Sequence, residues 1–166
     1  MLSFGMKPPL SFDRLVYSCK GLVEDKDIET LKAAVVSDVA QGGHAGNGTL
    51  LKWRSFDTML RNELVTIRAQ RKKEDPVKYL RRDGIPESAY AAHIAINAYR
   101  KSSILEAERA LDLERWHELD ELAAGHYFDL DALVVYALKL MIVTKWDAIR
   151  TADKKQLLEK TLIGAL

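Results

Sequence analysis

A carboxylate and an imidazole stand three residues apart at Glu114-Arg-Trp-His117. On a helix this spacing puts both on one face and supplies half of what a carboxylate-bridged di-metal bundle uses. The complete site needs a second Glu-x-x-His and two further glutamates, and the nearest candidate, His93, has Tyr90 where that glutamate would stand. Glu114 and His117 therefore read as a surface acid–imidazole pair before they read as metal ligands. His44 and His126 show no spacing to cysteine or to another histidine that suggests zinc. Cys19 is the single cysteine and can form no intrachain disulfide. There is no GxSxG and no convincing Ser-His-Asp order. The glycines at 42, 43, 46 and 48 lack the spacing of a phosphate-binding loop. The expectation is a protein that is not an enzyme and carries no cofactor and no metal.

Charge is the next possible source of function. The formal net charge is only +1 over 166 residues, but it is unevenly spread. Residues 51–82 hold ten Lys or Arg against four acids, and residues 106–131 hold nine acids against two Arg. These are either complementary faces that meet inside the fold or are solvated, or two docking surfaces of opposite sign. The basic run from Arg68 to Arg82 is interrupted by Glu74 and Asp75 in a near-neutral chain, which argues against nucleic acid. Arg54, Arg61 and Arg68 recur every seven residues and so line up along one side of a helix. Lys139 sits in Ala132–Thr144, a 13-residue stretch otherwise apolar on nearly every side. Its ammonium must reach water, find an internal carboxylate, or meet another subunit, because an unpaired buried charge is too costly.

These residues are held by helices. Pro8-Pro9 followed by Ser11 predicts an irregular start and a short helix to about Lys20, with Gly21 as its stop. Ile28, Leu31, Val35 and Val39 predict a helix over 24–39, and the Gly-rich 40–48 a loop. Trp53, Phe56, Leu60, Leu64 and Ile67 form one narrow stripe of a long helix over 49–73. Asp75-Pro76 opens a short helix to Arg82, and Pro86 one that runs to about Lys101 through Ala89, Ile94, Ile96 and Ala98. Ser103-Ile-Leu-Glu106 fits a capping box for a helix to about Ala124, with Leu105, Leu111, Trp116, Leu119 and Leu122 inward and Gly125 closing it. Phe128 and Asp129 resemble a hydrophobic staple and N-cap for a helix over 130–150, and Thr151 a cap for a last helix ending near Gly164. The fold class is all-α, an irregular bundle of seven to eight helices in a single domain over 1–166, with 1–48 a candidate N-terminal appendage. The N-terminus shows no secretory pattern. The longest apolar stretch falls well short of the roughly 20 residues needed to span a bilayer. The expected location is cytoplasmic.

Several segments carry a resemblance to a known family: Leu2-Ser-Phe-Gly-Met-Lys-Pro-Pro-Leu-Ser-Phe12, Trp53-Arg54 with Leu60-Arg61-Asn62-Glu63-Leu64, Asp75-Pro76-Val-Lys-Tyr79-Leu80-Arg81, Leu105-Glu106-Ala-Glu108, and Arg115-Trp116 with Leu119-Asp120-Glu121-Leu122. Over most of its length the chain resembles a bacterial family of uncharacterised proteins encoded among the V-type ATP synthase subunits and regarded as a counterpart of the C subunit. Phe128-Asp-Leu-Asp131 followed by Tyr136-Ala-Leu-Lys139 is similar to the late segment of the C subunit itself, although Val143 lies near the place where that protein commonly carries an acid. The resemblance implies an all-helical, non-hydrolytic component between the central stalk and the membrane rotor ring, peripheral at the inner membrane without inserting into it. The residues and the resemblance together mark Arg54, Arg61, Arg68, Tyr136, Lys139 and Trp146 as candidate interface residues. The partners implied are other ATP synthase subunits. Two rivals stand beside this reading: a free-standing helical adaptor that pairs with itself, and a metal-binding bundle built on Glu114 and His117.

Overall fold

The structure is a computed structural model that describes residues 2–36, 47–81 and 88–152. The described chain is all-α. Its helices are α1 (Phe12–Cys19), α2 (Asp25–Val35), α3 (Gly48–Lys72), α4 (Ala89–Tyr99), α5 (Ile104–Leu122) and α6 (Leu130–Thr151), with a single 3-10 turn at Pro76–Lys78. Among the described residues there are six α-helices, where seven to eight were expected over the whole chain. One reason is local: Asp75 caps the turn after α3 by accepting from the Val77 amide at 3.0 Å, but the segment closes after one 3-10 turn and does not run on to Arg82. Thr151, expected as the cap of a last helix, lies within α6 as its last residue, with its hydroxyl donating back to the Asp147 carbonyl at 2.8 Å. The expected helix from there to Gly164, the Gly-rich loop at 40–46 and the start at Pro86 lie outside the described residues.

Most of the helix starts follow from side-chain caps that satisfy an otherwise orphaned amide. Ser11, Asn47, Ser88, Ser103 and Asp129 each accept from an amide three residues on. The capping box at Ser103 is only half made. Glu106 turns its carboxylate to the Ser102 hydroxyl at 2.6 Å instead of reaching back to the backbone. Gly21 and Gly125 have φ of +79° and +85°, the left-handed conformation that lets the chain turn out of α1 and α5 without steric cost.

Two apolar cores hold the helices. The larger surrounds α6, whose Val134, Ala137, Leu140 and Val143 are essentially solvent-free. It takes Leu15 and Val16 from α1, Ile28 and Leu31 from α2, Leu50 from the start of α3, and Trp116 and Leu119 from α5. Residues 2–36 are thus part of this core. The irregular N-terminal strap is seated on it by Leu2 and by Phe4, whose ring meets Trp116 edge-on at 5.7 Å. The smaller core is Phe56 and Leu60 of α3 against Ile94, Ala95 and Ala98 of α4 and Leu111 of α5, with Trp53, Leu64 and Ile67 packed alongside. The predicted stripe of α3 is therefore the inward face. Three of the apolar residues expected on these helices face out instead: Leu105, in the first turn of α5, and Ala89 and Ile96 on α4. On α4 the inward positions are the small Ala91, Ala95 and Ala98 around Ile94. Small residues there let α4 lie close against α3 and α5. Because α3 and α5 contribute to both cores, they fix the two relative to one another.

Candidate functional site

Between α3, α5 and α6 lies a chain of charges. Asp57 of α3 accepts from Arg61 Nε at 2.6 Å and from Arg115 Nε at 2.9 Å. Arg115 bridges on to Asp112 at 2.9 Å. The carboxylate of Asp112, a residue only 3% exposed, also accepts from Lys145 Nζ at 2.8 Å and from the Trp146 indole at 2.9 Å. Lys145 further reaches Glu108 at 3.1 Å. Burial opposes the charge on Arg115 and Lys145, but the carboxylates that face them outweigh it, and both pKa values are held above their ordinary range. Asp112 ties two α6 residues to α5, and Asp57 ties α5 to α3. Among the described residues no buried side-chain polar atom lacks a partner. These charges therefore organise packing.

The outer edge of this network opens into a cavity of ≈ 510 Å³. Arg54, Arg61 and Arg68 all line it, so the sequence spacing that put them on one side of α3 is realised. Arg54 donates to the Ala33 carbonyl at 2.9 Å, latching α3 to α2. Arg68 is exposed, and neither its guanidinium nor that of Arg81 is bonded among the described residues, although the Asn62 side chain holds the Arg81 backbone at 3.0 and 3.2 Å. Among the described residues the arginine row makes no direct ion pair with the acidic 106–131 segment. Asp57 stands between them and is shared by Arg61 and Arg115.

The other candidates separate from this row. Lys139 is buried and pairs with Asp120 on α5 at 2.5 Å, its ammonium also 5.0 Å from the centroid of the Trp116 ring. Of the three destinations for its charge, the fold uses the internal carboxylate. Trp146 is committed inward too, through Asp112 and a ring contact with Phe4 at 6.5 Å. Tyr136 is half-buried and lines a second groove, ≈ 790 Å³, between the α1–α2 turn and the start of α6. Glu114 and His117 stand 3.6 Å apart, and Glu114 accepts from the Tyr90 hydroxyl at 3.3 Å. The grouping of three metal-capable side chains among the described residues lies elsewhere, at His126, Asp129 and Asp131.

At the Tyr136 groove the structure corrects the expected staple. Asp129 caps α6 as expected, but Phe128 is not folded back on the helix. The whole residue is exposed (104%), with Tyr127 at 78% and Leu22 across the groove at 82%. Leu130 and Leu133 line the floor. The turn before α6 is instead anchored by polar groups: His126 Nδ1 lies 2.6 Å from Asp129, and Asn47 donates to Asp131 at 3.0 Å. With those bonds fixing the chain's entry, the aromatic pair is released to solvent. Sequence reasoning missed this patch. The available signal was two consecutive aromatics directly after the Gly125 turn.

Residues 84–166, half of the chain, match the family model described as "Protein of unknown function (DUF2764)". The chain belongs to that family. The matched segment contains α4, α5 and α6, and with them Asp112, Arg115, Phe128, Tyr136 and Lys139. No curated protein and no solved structure matches. No described helix is long and apolar enough to cross a membrane.

Proposed function

We propose that this chain is a non-enzymatic docking subunit of a V-type ATP synthase, holding a position like that of the C subunit between the central stalk and the membrane rotor. The observation that supports docking is the exposed apolar end of the molecule. Phe128, Tyr127 and Leu22 rim a groove floored by Leu130 and Leu133, and none of the three rim residues is needed to close either core. Large apolar side chains gathered at a groove mark an interaction surface, whereas scattered ones do not. The assembly is named on the resemblance, whose late segment contributes Phe128, Asp129, Leu130 and Tyr136 to this groove, the opposite side coming from residues 21–27. Within that segment Tyr136 and Phe128 are the contact residues, while Lys139 serves the fold through Asp120. The protein sits on the cytoplasmic side and reaches the membrane only through its partners.

Purification of the tagged chain from cells with an assembled ATP synthase tests this reading. Stalk or rotor subunits should accompany the wild-type chain and be lost with Phe128→Ser and Leu22→Ser. A wild-type chain recovered alone from such cells would overturn it. One observation favours a second use of the same surface: a projecting ring and a groove lie side by side, so two copies could exchange them about a two-fold axis. Light scattering on the purified chain separates the two, because a tight homodimer that Phe128→Ser dissolves belongs to the self-pairing adaptor.

A further inference from the structure

We propose that the cavity between α3, α5 and α6 is a seat for an acidic amphipathic helix of a partner protein, laid along the Arg54, Arg61, Arg68 row. Six cationic side chains line the cavity against three carboxylates. The carboxylates are already taken: Asp57 by Arg61 Nε and Arg115, Asp112 by Arg115 and Lys145, and Glu108 by Lys145. The surplus positive charge falls to Arg54, Arg68 and Arg81, and Arg61 keeps its two terminal nitrogens free of side-chain bonds among the described residues. Guanidinium forks of this kind match carboxylate geometry.

Two features select a helix over a small anion. Arg54 and Arg68 are fourteen residues apart on α3, about 21 Å at helical rise. A phosphate or sulfate could meet one or two of these groups, but only an elongated ligand could meet all three. An α-helix lying beside α3 with acids at seven-residue spacing presents them in the same register. Trp53, Leu64, Leu111 and Met141 line the same cavity and offer an apolar floor for the helix's other edge. The proposed seat rests on the docking reading above, but not on which assembly is joined nor on the Phe128 surface.

The probe is a fluorescent synthetic helix of about three heptads, with Glu at every seventh position and Leu beside it, compared with the same peptide carrying Gln. By anisotropy against the full chain, the Glu peptide should bind about tenfold more tightly, the size of one or two charge-assisted contacts. Arg68→Glu should abolish that preference. Arg61→Gln, which leaves the Asp57–Arg115 bond in place, should reduce it, and Phe128→Ser should leave it unchanged. Equal binding of the two peptides, or a preference that survives Arg68→Glu in a chain of unchanged helicity, would overturn the proposal. Tripolyphosphate binding at the arginines without any peptide preference would also overturn it and assign the cavity to small anions. If Phe128→Ser keeps its co-purifying subunits while the Glu preference holds, docking through the apolar end fails and the helix seat stands.

Discussion

The Asp112–Arg115 network and the Phe128 end invert the usual distribution of polarity. In the first, charged groups are inside. Asp112 is almost solvent-free, yet three donors reach its carboxylate, and the same donors link α5 to α6 and through Arg115 to Asp57 of α3. In the second, a phenylalanine, a tyrosine and a leucine stand in water with cores available on the same molecule. The difference separates residues that work for the fold from residues that work for something else. A buried charge with all its partners supplied is accounted for by the fold. An exposed aromatic pair held out by polar anchors contributes nothing to folding, and on the reading proposed above it is there to meet a partner.

The largest effect that could break this contrast is at Asp112. Asp112→Ala leaves the Trp146 indole without its acceptor and takes one of two carboxylates from Arg115, which keeps Asp57, and from Lys145, which keeps Glu108. The cost should lie at the lower end of the about 3–5 kcal/mol that breaking a buried ionic cluster costs. Urea unfolding should show that loss. A loss below about 1 kcal/mol, the value of an exposed pair, would mean that water reaches the network and that it is no part of the core.

Lys139 gives the next test. Lys139→Met removes the charge and keeps the length, and because Asp120 is half-exposed and can be rehydrated, stability should stay within about 1 kcal/mol of wild type. Asp120→Ala leaves the buried ammonium unpaired and should cost more, about 1–3 kcal/mol. If the order were reversed, the ammonium would be serving something besides Asp120, and its contact with the Trp116 ring would be the first place to look.

How far these two regions could be read from sequence follows from how local their causes are. The Trp53, Phe56, Leu60, Leu64, Ile67 stripe and the caps at Ser11, Asp75, Ser103 and Asp129 involve residues within a few positions of one another, so period and spacing reveal them. The shared face of Arg54, Arg61 and Arg68 is legible for the same reason. Asp57 with Arg115 and Asp112 with Lys145 are separated by 58 and 33 residues, and no spacing rule links them. The sequence offered only a basic stretch and an acidic stretch. The placement of Lys139 among its three options was decided by Asp120, one helix away. Phe128 was misread because an apolar residue before an N-cap commonly folds back on the helix. Here two polar bonds fix the turn: the local His126–Asp129 contact, three residues apart, and the Asn47–Asp131 bond, 84 residues apart, of which only the second is tertiary.

Phe128→Ser should sharpen the contrast from the other side. Because the ring is fully exposed, the substitution should change stability by no more than about 0.5 kcal/mol, while the chain's retention on an apolar column falls and its co-purifying partners are lost. A fall in stability of about 2 kcal/mol would mean that the ring packs on Leu133 in solution and that the staple forms after all.

The smallest expected effect lies at the polar anchor that holds the aromatic pair out. The hydrogen bond to Asp129 raises the pKa of His126 above its ordinary value, with the Asp129 and Asp131 charges acting in the same direction. The Asp129 carboxyl is lowered, first by its bond to the Ala132 amide and then by His126. For a histidine whose folded pKa is raised, the stabilising contribution is complete below its unfolded pKa and is lost as pH rises through the folded value. Asp129 behaves oppositely, its contribution present above the unfolded carboxylate pKa and lost as pH falls through the lowered one. Between those two ranges both anchors hold. Above it, neutral His126 releases one side of the turn while the Asp129 cap on Ala132 remains. NMR titration should therefore place His126 above the ordinary histidine value, and the ring resonances of Tyr127 and Phe128 should move with it. Asp129→Asn keeps a capping oxygen for the Ala132 amide but removes the charge, so it should bring the His126 titration back towards the ordinary value and leave α6 capped. If the His126 titration is unmoved by Asp129→Asn, the aromatic pair is held out by the Asn47–Asp131 bond alone, and Asn47→Ala becomes the substitution that should let Phe128 fold back.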